Sequence, residues 1–300
     1  MPMDTIMSPD LSEPSVTTGG LPSKSDEQIL TDSGFYWRER NGVKILICRP
    51  LEENGFANAF STRLGGVSPF PENDLNLAGF DEDSEENIAE NRRRFLSIFD
   101  EDYLLTTVWQ VHGDDVKIVR IVEDAANTEE RFDALTSNLS GILVGVKTAD
   151  CVPVLLGDPV SGAFAAVHAG WRGTVESIVA KTAEKMKGNF GTDANDLICA
   201  IGPAATCKSY EIGQDVIDAF KKNFSTSGKY FTPTRDGHAL IDLHLANKDQ
   251  LIASGIADEN IFVAPFCTME RTDLFFSYRI EKKKYGKTGR LLSVIGKKVE

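Results

Sequence analysis

Two histidines and one cysteine carry the most suggestive chemistry in a 300-residue chain that has only four histidines and five cysteines. They stand in three segments rich in glycine, aromatic and charged residues: Gln110-Val111-His112-Gly113, Asp150-Cys151-Val152-Pro153 and His168-Ala169-Gly170-Trp171-Arg172-Gly173. Two imidazoles and a thiolate suit zinc, with copper (Cu2+) as the alternative. Three protein ligands leave a fourth position for water or substrate, the pattern of a catalytic rather than a structural zinc site. The same side chains also suit metal-free chemistry, with Cys151 as nucleophile and His112 or His168 as its base. His238 and His244 have no cysteine close in sequence and read as structural.

Each of the three residues lies at the end of an apolar run of strand length. His112 follows the run 104–110, Cys151 follows 142–147 and His168 ends 163–168, so three strand ends would converge on one site. Further runs at 43–48, 56–61, 116–122, 152–156, 197–201, 261–263, 274–278 and 291–295 read as strands. Three-to-four spacing of apolar residues predicts helices over 84–99, 173–188, 213–223 and 242–254. Ser84 and Asn87, with Glu85 and Glu86, give the first of these a cap and a favourable dipole. Gly113-Asp114-Asp115, Gly157-Asp158-Pro159 and Ser161-Gly162 read as turns between adjacent strands, which favours hairpins and a mixed sheet. The runs at 142 and 163 are expected to pair in one sheet, making Cys151 and His168 neighbours. Glycines 170 and 173 let the chain turn from strand into helix, and the first N–H groups of that helix could take a phosphate or carboxylate beside His168. The fold class that follows is α/β (mixed α+β), a single domain over 35–300 with a mixed β-sheet core flanked by helices.

Composition removes several classes of function. At 41% hydrophobic the chain can bury a sizeable core. A formal charge of −13 argues against a nucleic-acid partner, which needs a basic stripe to displace counterions. No stretch approaches the roughly 20 apolar residues of a membrane span, and no secretory signal is evident, so no membrane association and a cytoplasmic location are expected. The odd cysteine count without a CxxC pair points to reduced thiols. Neither GxGxxG nor GxxxxGK[ST] occurs, so no glycine-rich phosphate loop supports a nucleotide fold. Residues 1–34 hold six acidic residues against Lys24 alone and are rich in Pro, Ser, Thr and Gly, which predicts a disordered acidic tail. Lys282-Lys283-Lys284, with Arg279, Lys287 and Arg290, forms a basic run that reads as solvated surface or as a contact for a phosphate-bearing ligand.

Taken as an ordered set, seven motifs resemble the YfiH-type laccase-domain family over roughly residues 50–296. They are 61–68 (STRLGGVS), 110–113 (QVHG), 133–135 (DAL), 148–153 (TADCVP), 168–174 (HAGWRGT), 201–203 (IGP) and 276–279 (FSYR). The resemblance implies a single α/β domain that binds one metal, usually zinc, through the residues matching His112, Cys151 and His168. It implies phosphorolysis of adenosine, inosine, guanosine and methylthioadenosine, with adenosine deaminase side activity. The partners would then be a small-molecule nucleoside and phosphate. Polyphenol oxidation and editing of peptidoglycan precursors are also linked to the family. Four histidines are too few for a type 1 copper plus a trinuclear copper cluster, so multicopper oxidase chemistry is disfavoured.

Phosphorolysis needs a phosphate clamp, for which arginine is suited; Arg63 and Arg172 are the candidates, with Arg279 and Arg290 behind them. Deamination needs activated water and a proton-shuttling carboxylate, for which Asp150 and Asp133 are the candidates. The HxE and PCxxC pair of zinc deaminases does not occur, so deamination would need another geometry. Three alternatives stay open: an amidase on peptidoglycan precursors, cysteine- or metal-dependent; a copper-dependent, laccase-like polyphenol oxidase with a single copper; and a metal-stabilised binding module without turnover.

Overall fold

The computed structural model describes residues 25–70, 73–78, 83–126 and 129–298. Its centre is a pair of six-stranded mixed sheets packed face to face. The first runs in the order Phe35–Arg40, Val43–Cys48, Phe56–Ser61, Leu291–Lys297, Ile142–Thr148, Leu104–Thr106. The second runs Ile261–Val263, Ile198–Ile201, Val152–Gly157, Phe164–Ala169, Ala134–Ser137, Val116–Val119. Leu46, Phe60, Val144 and Ile295 from the first sheet meet Leu135, Leu155, Phe164 and Ala200 from the second in a shared core. The outer face of the first sheet is covered by the helix Glu85–Leu96, through Phe95. That of the second is covered by Ile178–Phe190, Gln214–Asn223 and Leu243–Ala253, through residues such as Val179, Phe220 and Leu251. The fold is therefore a four-layer α/β arrangement in which both sheets are buried on both faces. This explains why strands such as Val152–Gly157 read as continuous apolar runs rather than alternating ones.

Several expectations need correction. The runs at 142 and 163 do not share a sheet; Cys151 and His168 are brought together by the antiparallel hairpin Val152–Gly157/Phe164–Ala169, in which Pro153 pairs with His168. Asp158 closes that hairpin by accepting from Val160 N (2.8 Å) and Ser161 N (3.1 Å). Gly113-Asp114-Asp115 is not a hairpin turn, because Leu104–Thr106 and Val116–Val119 belong to different sheets. The strand expected over 104–110 ends at Thr106. Beyond it the Gln110 side-chain amide takes over the ladder, donating to Lys147 O and accepting from Lys147 N, both at 2.7 Å. Residues 274–278 are not a strand either. Phe275 and Phe276 are apolar because they fill the inter-sheet core, and Ser277 caps the helix Tyr278–Tyr285. The helix expected over 173–188 is broken by left-handed Ser177 (φ 61°) into Trp171–Val175 and Ile178–Phe190.

The boundary drawn at residue 34 also moves. Ser25 and Gln28 form a capping box for the helix Asp26–Asp32, whose Leu30 is buried in the inter-sheet core. Residues 1–24 of the expected tail lie outside the described residues. Spacing did not reveal the strand Phe35–Arg40, the strand Ala134–Ser137 or the small sheet Glu211–Gly213/His238–Ile241/Phe231–Arg235. No helix among the described residues is long and apolar enough to cross a membrane.

Candidate metal centre

The hairpin register delivers two of the three donors. Cys151 enters the strand Val152–Gly157 and His168 lies one residue from the end of its partner, so both side chains emerge at the same sheet end. His112 arrives from the connection between the sheets, in a left-handed conformation (φ 60°) that costs a non-glycine residue energy unless its surroundings hold it. They do so through one carboxylate. Buried Asp133 accepts from His112 N (2.9 Å) on Oδ1, and from Val111 N (3.2 Å) and Gly113 N (2.7 Å) on Oδ2. Its Oδ1 also lies 2.7 Å from His168 Nδ1. One residue thus fixes the His112 turn and leaves His168 Nε2 to face the centre. The His112, Cys151 and His168 donor atoms all lie within 4.8 Å of one another.

This cluster fits a metal ion. Its donors are the borderline-soft nitrogen and sulfur ligands that zinc and copper select. Room for the ion comes from Gly170, where an added Cβ would stand 3.2 Å from both Cys151 Sγ and His112 Cδ2. Among the described residues no fourth His, Cys, Asp or Glu joins the group, so a coordination position stays open to a ligand. Without a cation among them, Cys151 and His168 polarise each other. Burial alone would raise the thiol, but the His168 charge and hydrogen bonds from both histidines bring Cys151 down to about 6. Burial alone would lower the imidazole, but the Cys151 thiolate and Asp133 hold His168 up to about 9.

Both candidate carboxylates are engaged in hydrogen-bond networks around the cluster. Burial favours a protonated Asp133, yet His168 and the backbone N–H groups keep it below the usual carboxylate range, and both oxygens are taken. Asp150, also left-handed (φ 85°), accepts from Thr268 Oγ1 (2.7 Å), Ser277 Oγ (3.0 Å) and Arg279 N (2.7 Å). It staples the 268 and 277–279 segments behind Cys151, and burial raises its pKa. The contacts of Asp133 and Asp150, the carboxylates expected to be catalytic, position the cluster and its neighbouring segments. Asp133→Asn tests this sharply. Either oxygen replaced by NH2 would face existing donors, so zinc affinity is expected to fall about 10- to 100-fold, measured by competition with a chromophoric chelator.

Arg63 is not a phosphate clamp. Its guanidinium is buried, donating to Asp74 Oδ1 (2.9 Å) and Oδ2 (2.8 Å), Glu281 Oε1 (2.8 Å) and Thr272 O (2.8 Å), and it lies over the Phe276 ring. Arg172 remains available: it is exposed, 4.2 Å from the Trp171 ring centroid. The helix it belongs to starts at Gly170 as expected but has only five residues, so its dipole adds little to anion binding there. His244 is buried against Gly202 O (3.1 Å), and His238 Nδ1 lies 2.9 Å from Asp236 O, both outside the cluster. All five cysteines are free. Sequence reading missed Tyr210, whose phenol is raised first by burial and then by the Cys151 thiolate, which places it beside the cluster. No spacing signal marks it, because it reaches the site through the small three-stranded sheet.

Comparison with known proteins agrees with this geometry. A family model described as multi-copper polyphenol oxidoreductase laccase matches residues 57–298. A protein of Deinococcus radiodurans named purine nucleoside phosphorylase is 37% identical over 242 residues, covering 80% of this chain and 88% of that protein. One of the same name from Bacteroides thetaiotaomicron is 34% identical over 246 residues, covering 78% and 89%. Two crystal structures, YlmD from Geobacillus stearothermophilus and the hypothetical protein YfiH of Bacillus licheniformis, superpose with TM-scores of 0.81 and 0.80, each at 29% identity. They cover 89% and 87% of this chain and 99% of their own lengths. The match across nearly the whole ordered body, with the three donors converging, makes the chain a member of the YfiH-like laccase-domain family.

Proposed function

We propose that the protein is a zinc-dependent purine nucleoside phosphorylase acting on adenosine, inosine, guanosine and methylthioadenosine, with adenosine deaminase side activity. The open three-donor His112–Cys151–His168 cluster carries this reading, and the relatives named purine nucleoside phosphorylase support it. In the proposed reaction a phosphate oxygen forms a bond to the anomeric carbon while the bond from that carbon to the purine breaks. The purine leaves with the electron pair and takes up a proton released by the attacking phosphate or drawn from solvent, yielding the free base and ribose 1-phosphate, or 5-methylthioribose 1-phosphate from methylthioadenosine. Zinc bound at the cluster would supply Lewis-acid polarisation of the nucleoside or activation of water. The chain supplies the rest: Asp133 fixes the His168 ring, Gly170 keeps the approach open, and Arg172 offers a bidentate donor to phosphate. The four histidines, two of them engaged elsewhere, do not support a multicopper oxidase.

The deciding experiment incubates purified protein of known metal content with adenosine and inosine, with and without phosphate. Phosphate-dependent release of free base with one zinc per chain supports the proposal; zinc without nucleoside turnover refutes it. The lowered thiol of Cys151 favours one second reading, a cysteine hydrolase such as an amidase on peptidoglycan precursors. Full activity in chelator-treated protein would select it.

Proton release gives an independent check. Between about 6 and about 9 the cluster holds a thiolate and an imidazolium, so zinc uptake must displace one proton, the one on His168 Nε2. Zinc affinity is therefore expected to rise about tenfold per pH unit across this window and flatten above it. Below about 6 the Cys151 thiol is protonated as well, and the dependence steepens. Calorimetry in buffers of different ionisation enthalpy counts the protons.

A further inference from the structure

Arg279 is tied to the site from behind. Its backbone N–H donates to Asp150 Oδ2 (2.7 Å), which pins the residue to the carboxylate directly before Cys151. Its exposed guanidinium lies over the Tyr210 ring, 5.1 Å from the centroid, and Nη1 donates to Glu211 O (3.1 Å). The Glu211 carboxylate is turned away, accepting from Thr234 Oγ1 (2.7 Å) and Arg235 Nη2 (2.9 Å). Among the described residues no carboxylate lies within ion-pair distance of the Arg279 guanidinium. Tyr210 is itself fixed, its N donating to Thr206 O and its O accepting from Ile241 N, both at 3.0 Å. An arginine held on an aromatic ring, with donors left over and only the buried, already hydrogen-bonded Asp150 as a nearby carboxylate, is preorganised for an anion.

We propose that Arg279, seated on Tyr210, is the anion-binding arm on the Cys151 side of the cluster and holds inorganic phosphate there, the role expected of Arg63. The inference rests on the phosphorylase reading for the identity of the anion, and on Arg279 geometry for its location.

The test uses the zinc-loaded full chain as wild type, Arg279→Ala, Arg279→Lys and Tyr210→Phe. Inorganic phosphate is titrated by calorimetry, and inosine phosphorolysis is followed with phosphate and inosine varied separately. Arg279→Ala is expected to raise the phosphate Kd and the phosphate KM about 10- to 100-fold, the effect of losing a charged hydrogen-bond donor. Inosine KM and zinc content should stay within about twofold. Arg279→Lys should recover part of the loss as a point charge. Tyr210→Phe keeps the ring under the guanidinium and should change phosphate Kd by no more than about threefold. If Arg279→Ala loses phosphate binding while the wild type cleaves no nucleoside, the anion site stands and the phosphorylase reading falls. If the wild type is a phosphorylase and Arg279→Ala has an unchanged phosphate KM, the reverse holds. A wild type that binds no phosphate overturns the inference, as does equal loss of zinc in the Ala and Lys variants.

Discussion

Cys151→Ala is expected to abolish metal binding and to lower nucleoside turnover by about three orders of magnitude while leaving the fold intact. Removing the thiolate leaves two imidazoles, too few for a stable tetrahedral site. A Lewis-acid contribution of several kcal/mol is then lost, and each 1.36 kcal/mol is tenfold in rate. The fold should survive, because the smaller side chain faces the cluster while the strand behind it keeps its register with Phe164–Ala169. Elemental analysis, phosphate-dependent base release and far-ultraviolet circular dichroism measure the three effects separately. A variant that kept one metal per chain and the wild-type rate would sink the ligand assignment.

Arg63→Ala should act on stability instead. The guanidinium sits between Asp74 and Glu281, with both carboxylates buried beside it. Breaking a buried ion pair by deleting one partner costs about 3–5 kcal/mol, because the remaining charges lose their counterpart in a poorly solvated place. For a chain of this size that corresponds to a melting temperature lower by roughly 10 °C. Phosphate and nucleoside KM should change together, or not at all, in the folded fraction. A variant with wild-type melting behaviour and a selectively raised phosphate KM would restore Arg63 to the clamp role.

How far the sequence speaks depends on what kind of interaction fixes each residue. His112, Cys151 and His168 are legible because scarce ligand types at strand ends are a local signal. The hairpin that joins two of them is announced by Asp158 and Gly162. Arg63 misled because a basic residue in a Gly-Gly turn looks solvent-facing, whereas its acids lie 11 and 218 residues away. Asp133 and Asp150 stand out in the sequence, but only the folded chain shows which groups both oxygens of each hold. The division into two sheets was invisible for a related reason. Strands buried on both faces lose the alternation that would tell one sheet from another.

The closeness of Cys151 and His168 along the chain bears on how the site comes into being. They sit 17 positions apart and meet through one hairpin, a short loop closure that carries a small entropic penalty. The other imidazole depends on a turn held by Asp133, at the start of the neighbouring strand Ala134–Ser137. Two of the three donors are thus set by a local pairing, whereas the donor triad is complete only where the 111–113 turn is docked on Asp133, which couples the geometry of the cluster to the packing of that turn.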